Sequence, residues 1–230
     1  MKIVFFNVND LTIDKDGLVR YLKENVSNTD IFCIQEAFEN FEILEDNLFK
    51  SYTKVSSYKY VSEPDFFRQV TLIREGVRLI ATNPLLEKFP LLGHGIFTQL
   101  SIGGKELGLI NMHGLSRPVN KLDCSERIQQ TKELIKFATK LKTPVIIGGD
   151  FNYLNNTESV KIFEDSGYVN LINKFNITNT RNEVVWRKFP NNKMYFSDWI
   201  FTSPEIIIES LEVPYNEYSD HLPLELTIRI

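Results

Sequence analysis

An α/β protein with sheets packed on one another and helices outside is the fold class this sequence predicts, and three observations carry it. Apolar segments rich in β-branched and aromatic residues recur along the whole chain, a few helical patterns lie among them, and the two kinds are mixed rather than separated. No Pro/Gly/Ser-rich linker divides the chain and no internal repeat stands out. Residues 1–230 therefore read as one domain, with 43% hydrophobic and 12% aromatic residues to fill one sizeable core.

The elements follow in chain order. Lys2 to Phe6 is an apolar strand cut off by Asn7, and Gly17 to Val26 reads as a short helix. Ile31 to Ile34 is continuously apolar, as in a strand buried on both faces. Val70 to Ile73, Val77 to Ala81 and Leu107 to Met112 are further strands, and Ile96 to Ile102 alternates apolar with polar residues as a half-buried strand does. The clearest helix is Ser125 to Leu141, where Ile128, Thr131, Leu134, Ile135, Ala138 and Leu141 share one stripe. Asp123 with Glu126 resembles a capping box at its start, and Pro144 follows its end. Val145 to Ile147 is again continuous; Thr157 to Phe163 is a helix with Asn156 or Thr157 as cap. Trp199 to Phe201, Ile206 to Leu211 and the alternating Leu224 to Ile230 complete the strands.

Composition narrows the function classes. The opening Met1-Lys2-Ile3-Val4-Phe5-Phe6 is too brief for a secretory apolar region, and no other run approaches bilayer length, so a cytoplasmic protein without a membrane span is expected. Cys33 and Cys124 have no metal-ligand spacing. A net charge of −4 argues against a protein held to nucleic acid by non-specific electrostatics, but leaves room for a local basic patch. A monomer is expected.

Chemistry is suggested by where polar residues stand. Ile3-Val4-Phe5-Phe6 is followed by Asn7, Ile31-Phe32-Cys33-Ile34 by Gln35-Glu36, Leu109-Ile110 leads through Asn111 to His113, and Val145-Ile146-Ile147 leads through two glycines to Asp150 and Asn152. Singly, each also fits a turn or a helix cap. Four strands ending alike suggest one shared site, since the carboxyl ends of strands commonly hold ligands. Asp198, within Phe196-Ser197-Asp198-Trp199-Ile200-Phe201, is a carboxylate in an apolar strand and needs a partner; His221 is the natural candidate.

The ordered set Asn7 with Val8-Asn9, Gln35-Glu36, Asn111-Met112-His113, Gly149-Asp150-Phe151-Asn152, Asp198 before an aromatic residue, and Ser219-Asp220-His221 resembles the endonuclease/exonuclease/phosphatase superfamily over essentially the whole chain. The resemblance implies a four-layered α/β sandwich, two packed mixed β-sheets flanked by helices. It also implies that Glu36, with Asp220 and Asn7, holds Mg²⁺ or Mn²⁺, and that Asp150 and Asn152 position and activate a water. Asp198 would orient His221 toward the scissile phosphate, and His113 would stabilise the phosphate or assist the leaving group. The chemistry asks for such a set, because an anionic nucleophile approaching a phosphoester needs a hard cation, a proton acceptor and donors to the phosphate oxygens. The sequence departs from the superfamily pattern in three ways. Asn9 stands where some relatives carry an acid, which points to a one-metal site; Met112 replaces a small or hydroxyl residue; and only Glu75 and Glu63 offer themselves as an acid to partner His113.

For the substrate, Lys174 to Lys193 holds Lys174, Arg181, Arg187, Lys188 and Lys193 against Glu183 alone, with Trp186 and Phe189 among them. That mixture suits a nucleic acid or nucleotide-like phosphodiester. Arg117, Arg187 and Lys188 are the expected substrate-binding residues. The expected activity is a phosphodiesterase or nuclease; the alternatives are a phosphomonoesterase on small molecules and a non-catalytic binding module.

Overall fold

In the computed structural model, which describes residues 1–62 and 65–229, two six-stranded mixed sheets pack face to face with helices on their outer surfaces. The first half of the chain forms β1 (Lys2–Asn7), α1 (Lys15–Asn25), β2 (Ile31–Gln35), α2 (Glu39–Leu48), β3 (Tyr52–Ser62), β4 (Asp65–Arg74), β5 (Arg78–Leu85), β6 (His94–Ile102) and β7 (Lys105–His113). The second half forms α3 (Ser125–Ala138), β8 (Val145–Asp150), α4 (Glu158–Asp165), β9 (Val169–Asn170), α5 (Leu171–Lys174), α6 (Glu183–Lys188), β10 (Asp198–Thr202), β11 (Ile207–Glu212) and β12 (Leu224–Arg229). The sheet orders are β11-β12-β1-β2-β4-β3 and β5-β6-β7-β8-β10-β9. Ile230 and Glu63 lie outside the described residues.

The continuous apolar runs are explained by what covers each face. On β1, Ile3 and Phe5 join the core between the sheets, while Val4 and Phe6 join a second core with Leu18, Tyr21 and Leu22 of α1 and Phe41 of α2. β2 divides in the same way: Ile31 and Cys33 face inward, Phe32 and Ile34 outward. The sheets approach closely where β1 crosses β8. A Cβ on Gly148 would lie 2.6 Å from the Phe5 ring, so only glycine fits there. Gly149, at φ +133°, turns the end of β8 toward the site.

Register brings the polar strand ends together. Asn7 pairs with Gln35 across the parallel β1–β2 pair, His113 with Asp150 across the parallel β7–β8 pair, and Asp198 with Asp150 across the antiparallel β8–β10 pair.

Several elements differ from expectation. β3 was not foreseen because Lys54, Ser56, Ser57 and Lys59 interrupt any apolar run; α2 and α6 were likewise missed. β6 is more buried than simple alternation predicts, with Phe97 and Thr98 both enclosed. α1 begins two residues early, where the Asp14 side chain accepts from Gly17 N, and α3 ends at Ala138. Asp123 does not cap α3. Its carboxylate accepts from the backbone N–H groups of Glu158 and Ser159, so it caps α4 instead, together with Thr157.

Candidate active site

At the end of β1, the Asn7 amide donates to Glu36 Oε1 at 3.0 Å and Asp150 Oδ2 at 3.1 Å, bracketing the two carboxylates. Its own oxygen accepts from Asn9 N, which fixes the amide orientation and turns its NH₂ group toward the acids. Glu36 follows β2 at φ +51°, a left-handed conformation that turns its side chain out of the strand direction toward Asn7. His113 Nε2 lies 3.7 Å from both Glu36 Oε1 and Asp150 Oδ2, and the ring meets the edge of Phe67 at 4.9 Å.

Asp150 is the hub. Its Oδ1 accepts from Ser197 Oγ at 2.5 Å and Asn152 N at 2.9 Å; its Oδ2 lies 3.5 Å from His221 Nε2. Burial alone would raise the pKa of this carboxyl, but His221, Lys121, His113 and the Ser197 hydroxyl outweigh it and hold the group well below the usual carboxylate range. Lys121 is buried too, donating to Asn152 Oδ1 and Ser197 Oγ, and desolvation pushes its pKa down to about 8. Asn152, at φ +58°, donates its NH₂ to Gly114 O.

On the other flank, Asp198 places both oxygens 2.9 Å from His221 Nδ1. Burial raises the Asp198 pKa despite this partner. Arg181 donates Nη1 to His221 Nε2 at 2.7 Å and Nη2 to Asp220 Oδ2 at 2.6 Å. An arginine cannot accept, so Nε2 presents its lone pair and Nδ1 carries the proton toward Asp198. Burial and Arg181 both disfavour charge on His221; Asp198, Asp150 and Asp220 outweigh them and raise its pKa, and full protonation requires Arg181 Nη1 to move off Nε2. Asp220 also accepts from Asn9 Nδ2 at 3.0 Å. Its carboxyl is lowered because His221 and Arg181 overcome the cost of burial.

The structure thus brings Asn7, Glu36, His113, Asp150, Asn152, Asp198, Asp220 and His221 to one end of the sandwich. Among the described residues, two groups have donor atoms that all lie within 4.8 Å of one another, Glu36–His113–Asp150 and Asp150–Asp198–His221. Asp220, expected on the metal side, belongs to neither; both its oxygens are engaged by Arg181 and Asn9. Glu75 is no partner for His113. β4 runs antiparallel to β2, so Glu75 follows Arg74 at the opposite end of the sheet, beside Asp30. Of the expected substrate-binding residues, Arg117 is exposed on the segment after β7, Lys188 is exposed on α6, and Arg187 forms a two-pronged surface pair with Glu217 at 2.9 and 3.0 Å.

Three residues in the site, Arg181, Lys121 and Ser197, are not singled out by the sequence. Arg181 was counted only as one cation of the basic stretch, and the cue for Lys121, a lone lysine between Pro118 and the α3 helix, is too common to single out. Arg127 and Gln130 support the site from α3, with Arg127 gripping the carbonyls of Pro118 and Leu122 and Gln130 accepting from Gly93 N and Leu115 N.

The fold has many solved relatives. Humanized TDP2 of D. rerio is 17% identical, with a TM-score of 0.78 covering 100% of this chain and 99% of that one. D. rerio TDP2 complexed with single-strand DNA product is 16% identical, with a TM-score of 0.71 over 100% and 99%. A mannosyl-6-phosphatase of Bacteroides thetaiotaomicron is 14% identical, with a TM-score of 0.72 over 100% of both chains. No curated protein matches the sequence. The profile described as the Endonuclease/Exonuclease/phosphatase family matches residues 4–221, spanning the strand ends that build this site. On that match the chain belongs to the endonuclease/exonuclease/phosphatase family.

Proposed function

We propose that this chain is a metal-dependent phosphodiesterase, nuclease-like in its chemistry, that cleaves its substrate with an activated water. The observation that carries the reading is Asp150: one buried carboxylate kept ionised while it faces Asn7, His113 and His221 together.

Glu36 and Asp150 offer hard oxygen donors beside one imidazole nitrogen, a set that fits Mg²⁺ or Mn²⁺. Such an ion, when bound, supplies positive charge against the phosphate oxygens. Asp150 is placed to take a proton from water, with Ser197 and the Asn152 N–H fixing its orientation. Asn152 is itself held by Lys121 and Gly114. His221, oriented by Asp198, faces the phosphate side, and His113 lies where it can meet a phosphate or leaving-group oxygen.

Exposed rings flank this end of the sandwich. Tyr58, Tyr60 and Phe66 sit on the part of the β3–β4 hairpin that extends past the Gln35–Gln69 pair, and they provide surfaces for bases. The neighbour complexed with single-strand DNA supports a nucleic acid as substrate, by analogy of fold.

A phosphomonoesterase is the second reading. It is favoured by two buried cations, Lys121 and Arg181, close to the hub, and by the pairing of Arg187 with Glu217, which takes one cation from the basic stretch. A mannosyl-6-phosphatase among the structural neighbours is consistent with it.

The test is a metal-by-substrate matrix. Hydrolysis of bis-p-nitrophenyl phosphate should require Mg²⁺ or Mn²⁺, stop with EDTA, and disappear in Asp150→Ala and His221→Ala. Full activity in either variant overturns the mechanism. Release of inorganic phosphate without strand cleavage of oligonucleotides selects the monoester reading. Metal or polynucleotide binding without turnover on any phosphoester replaces both with a binding module.

A further inference from the structure

Arg181 is 5% exposed and is held by its backbone as well as by its side chain. Its N–H bonds to Tyr195 O, its carbonyl accepts from Asn179 Nδ2, and it forms an isolated bridge with His221. The guanidinium spans His221 Nε2 and Asp220 Oδ2, yet its Nε is buried with no partner among the described residues. A buried guanidinium N–H left unsatisfied inside a cluster of catalytic groups calls for an oxygen that arrives with a ligand.

The charges around it point the same way. Among the described residues, Glu36, Asp150, Asp198 and Asp220 are gathered about two buried fixed cations, Lys121 and Arg181, a balance to which a single divalent ion adds two charges. Asp220, an acid that could otherwise serve a further ion, is already engaged by Arg181 and Asn9.

We propose that Arg181 stands where a second metal ion would act: anchored on Asp220, it binds a non-bridging oxygen of the substrate phosphate beside His221 and restricts the site to one divalent ion. This rests on the phosphoesterase reading for its ligand. A phosphate oxygen that takes Nη1 frees the His221 imidazole to face the same phosphate, while the Nε–H remains a further donor on the Asp220 edge of the guanidinium.

The test measures binding without turnover. Calorimetric titration of the intact protein with Mn²⁺, then with inorganic phosphate in the presence of Mn²⁺, should give one Mn²⁺ per chain and one phosphate. Arg181→Gln should weaken phosphate by about tenfold or more, as expected when charge-assisted hydrogen bonds are lost. Arg181→Lys should fall between, because a lysine cannot fill the two-pronged geometry. Removing the guanidinium also frees Asp220, so Arg181→Gln should acquire a second, weaker Mn²⁺ that is absent when Asp220→Asn is added. If Arg181→Gln melts below the assay temperature, Arg181→Lys carries the phosphate measurement. Two Mn²⁺ ions on the unaltered protein, or phosphate affinity within about twofold of the original in both variants, overturns the proposal. Loss of phosphate affinity in a protein that hydrolyses no ester upholds the Arg181 assignment while rejecting the catalytic one; hydrolysis with Arg181-independent binding does the reverse.

Discussion

A carboxylate inside an apolar strand is costly unless it is met, and Asp198 is met by His221 Nδ1 at 2.9 Å. Asp198→Asn keeps the shape but can no longer specify the Nδ1–H form, so kcat should fall by roughly 10²- to 10⁴-fold while the melting temperature changes little. Steady-state kinetics with a generic phosphoester, set beside thermal denaturation, checks this; unaltered kcat would sink the orienting role. A second histidine makes a stability prediction. His94 is fully enclosed, with Nε2 2.8 Å from Ser57 Oγ, and burial together with the nearby Lys59 and His113 lowers its pKa from 6.5 to about 4. Above pH 6.5 neither folded nor unfolded chain protonates it. As the pH falls from 6.5 toward 4 the unfolded chain takes up a proton that the folded one refuses, so stability drops, by about 2 kcal/mol at pH 5. His94→Gln should flatten that part of a urea-denaturation pH profile.

At the level of elements, the helix ends show how a local pattern is reassigned by packing. Asp123 and Glu126 have the spacing of a capping box, but Cys124 occupies the cap position of α3 without a side-chain bond, and Asp123 reaches across to α4. α3 and α4 lie side by side, so the unsatisfied N–H groups of α4 are nearer to Asp123 than those of its own helix. Asp123→Ala should therefore destabilise the protein by about 1–2 kcal/mol, and Glu126→Ala by less than about 0.5 kcal/mol. Equal losses in denaturant melts would restore the capping box. β3 gives the converse lesson. Its Lys59 ammonium, buried at the edge of the sandwich, shares its three N–H donors among the carbonyls of Leu86, Phe89, Leu92 and Gly93, so a residue that hides the strand in the sequence ties down the loop leading to β6 and His94.

For the whole molecule, the acids gathered at one end have a thermodynamic consequence. A ligand that binds only the folded chain stabilises it by mass action, by about 2.7 kcal/mol at one hundred times its dissociation constant. Mn²⁺ should raise the melting temperature of the protein, EDTA should reverse the rise, and Glu36→Gln should abolish most of it. An identical shift in Glu36→Gln would place the ion elsewhere. Much of this site was legible early because each member follows a strand directly: Asn7 ends β1, Glu36 follows β2, His113 ends β7 and Asp150 ends β8. Arg181 and Lys121 were not, because both come from segments outside the sheets, where neither spacing nor periodicity says which way a side chain turns.

Sheet-on-sheet architecture, most strand positions, and the set of acids, amides and imidazoles at the strand ends can all be read from the order of the amino acids. Hydrophobic periodicity reports which faces are buried, and a polar residue at the end of a buried strand stands out against it. Who meets whom emerges from the packed chain alone: Asn7 brackets two carboxylates, Asp123 caps α4, Asp220 faces Arg181, and a lysine holds Asn152. Those pairings join residues far apart in the chain, from the 29 that separate Asn7 from Glu36 to the 143 between Asn7 and Asp150. Their distances are fixed by strand register and sheet packing rather than by anything local to either partner.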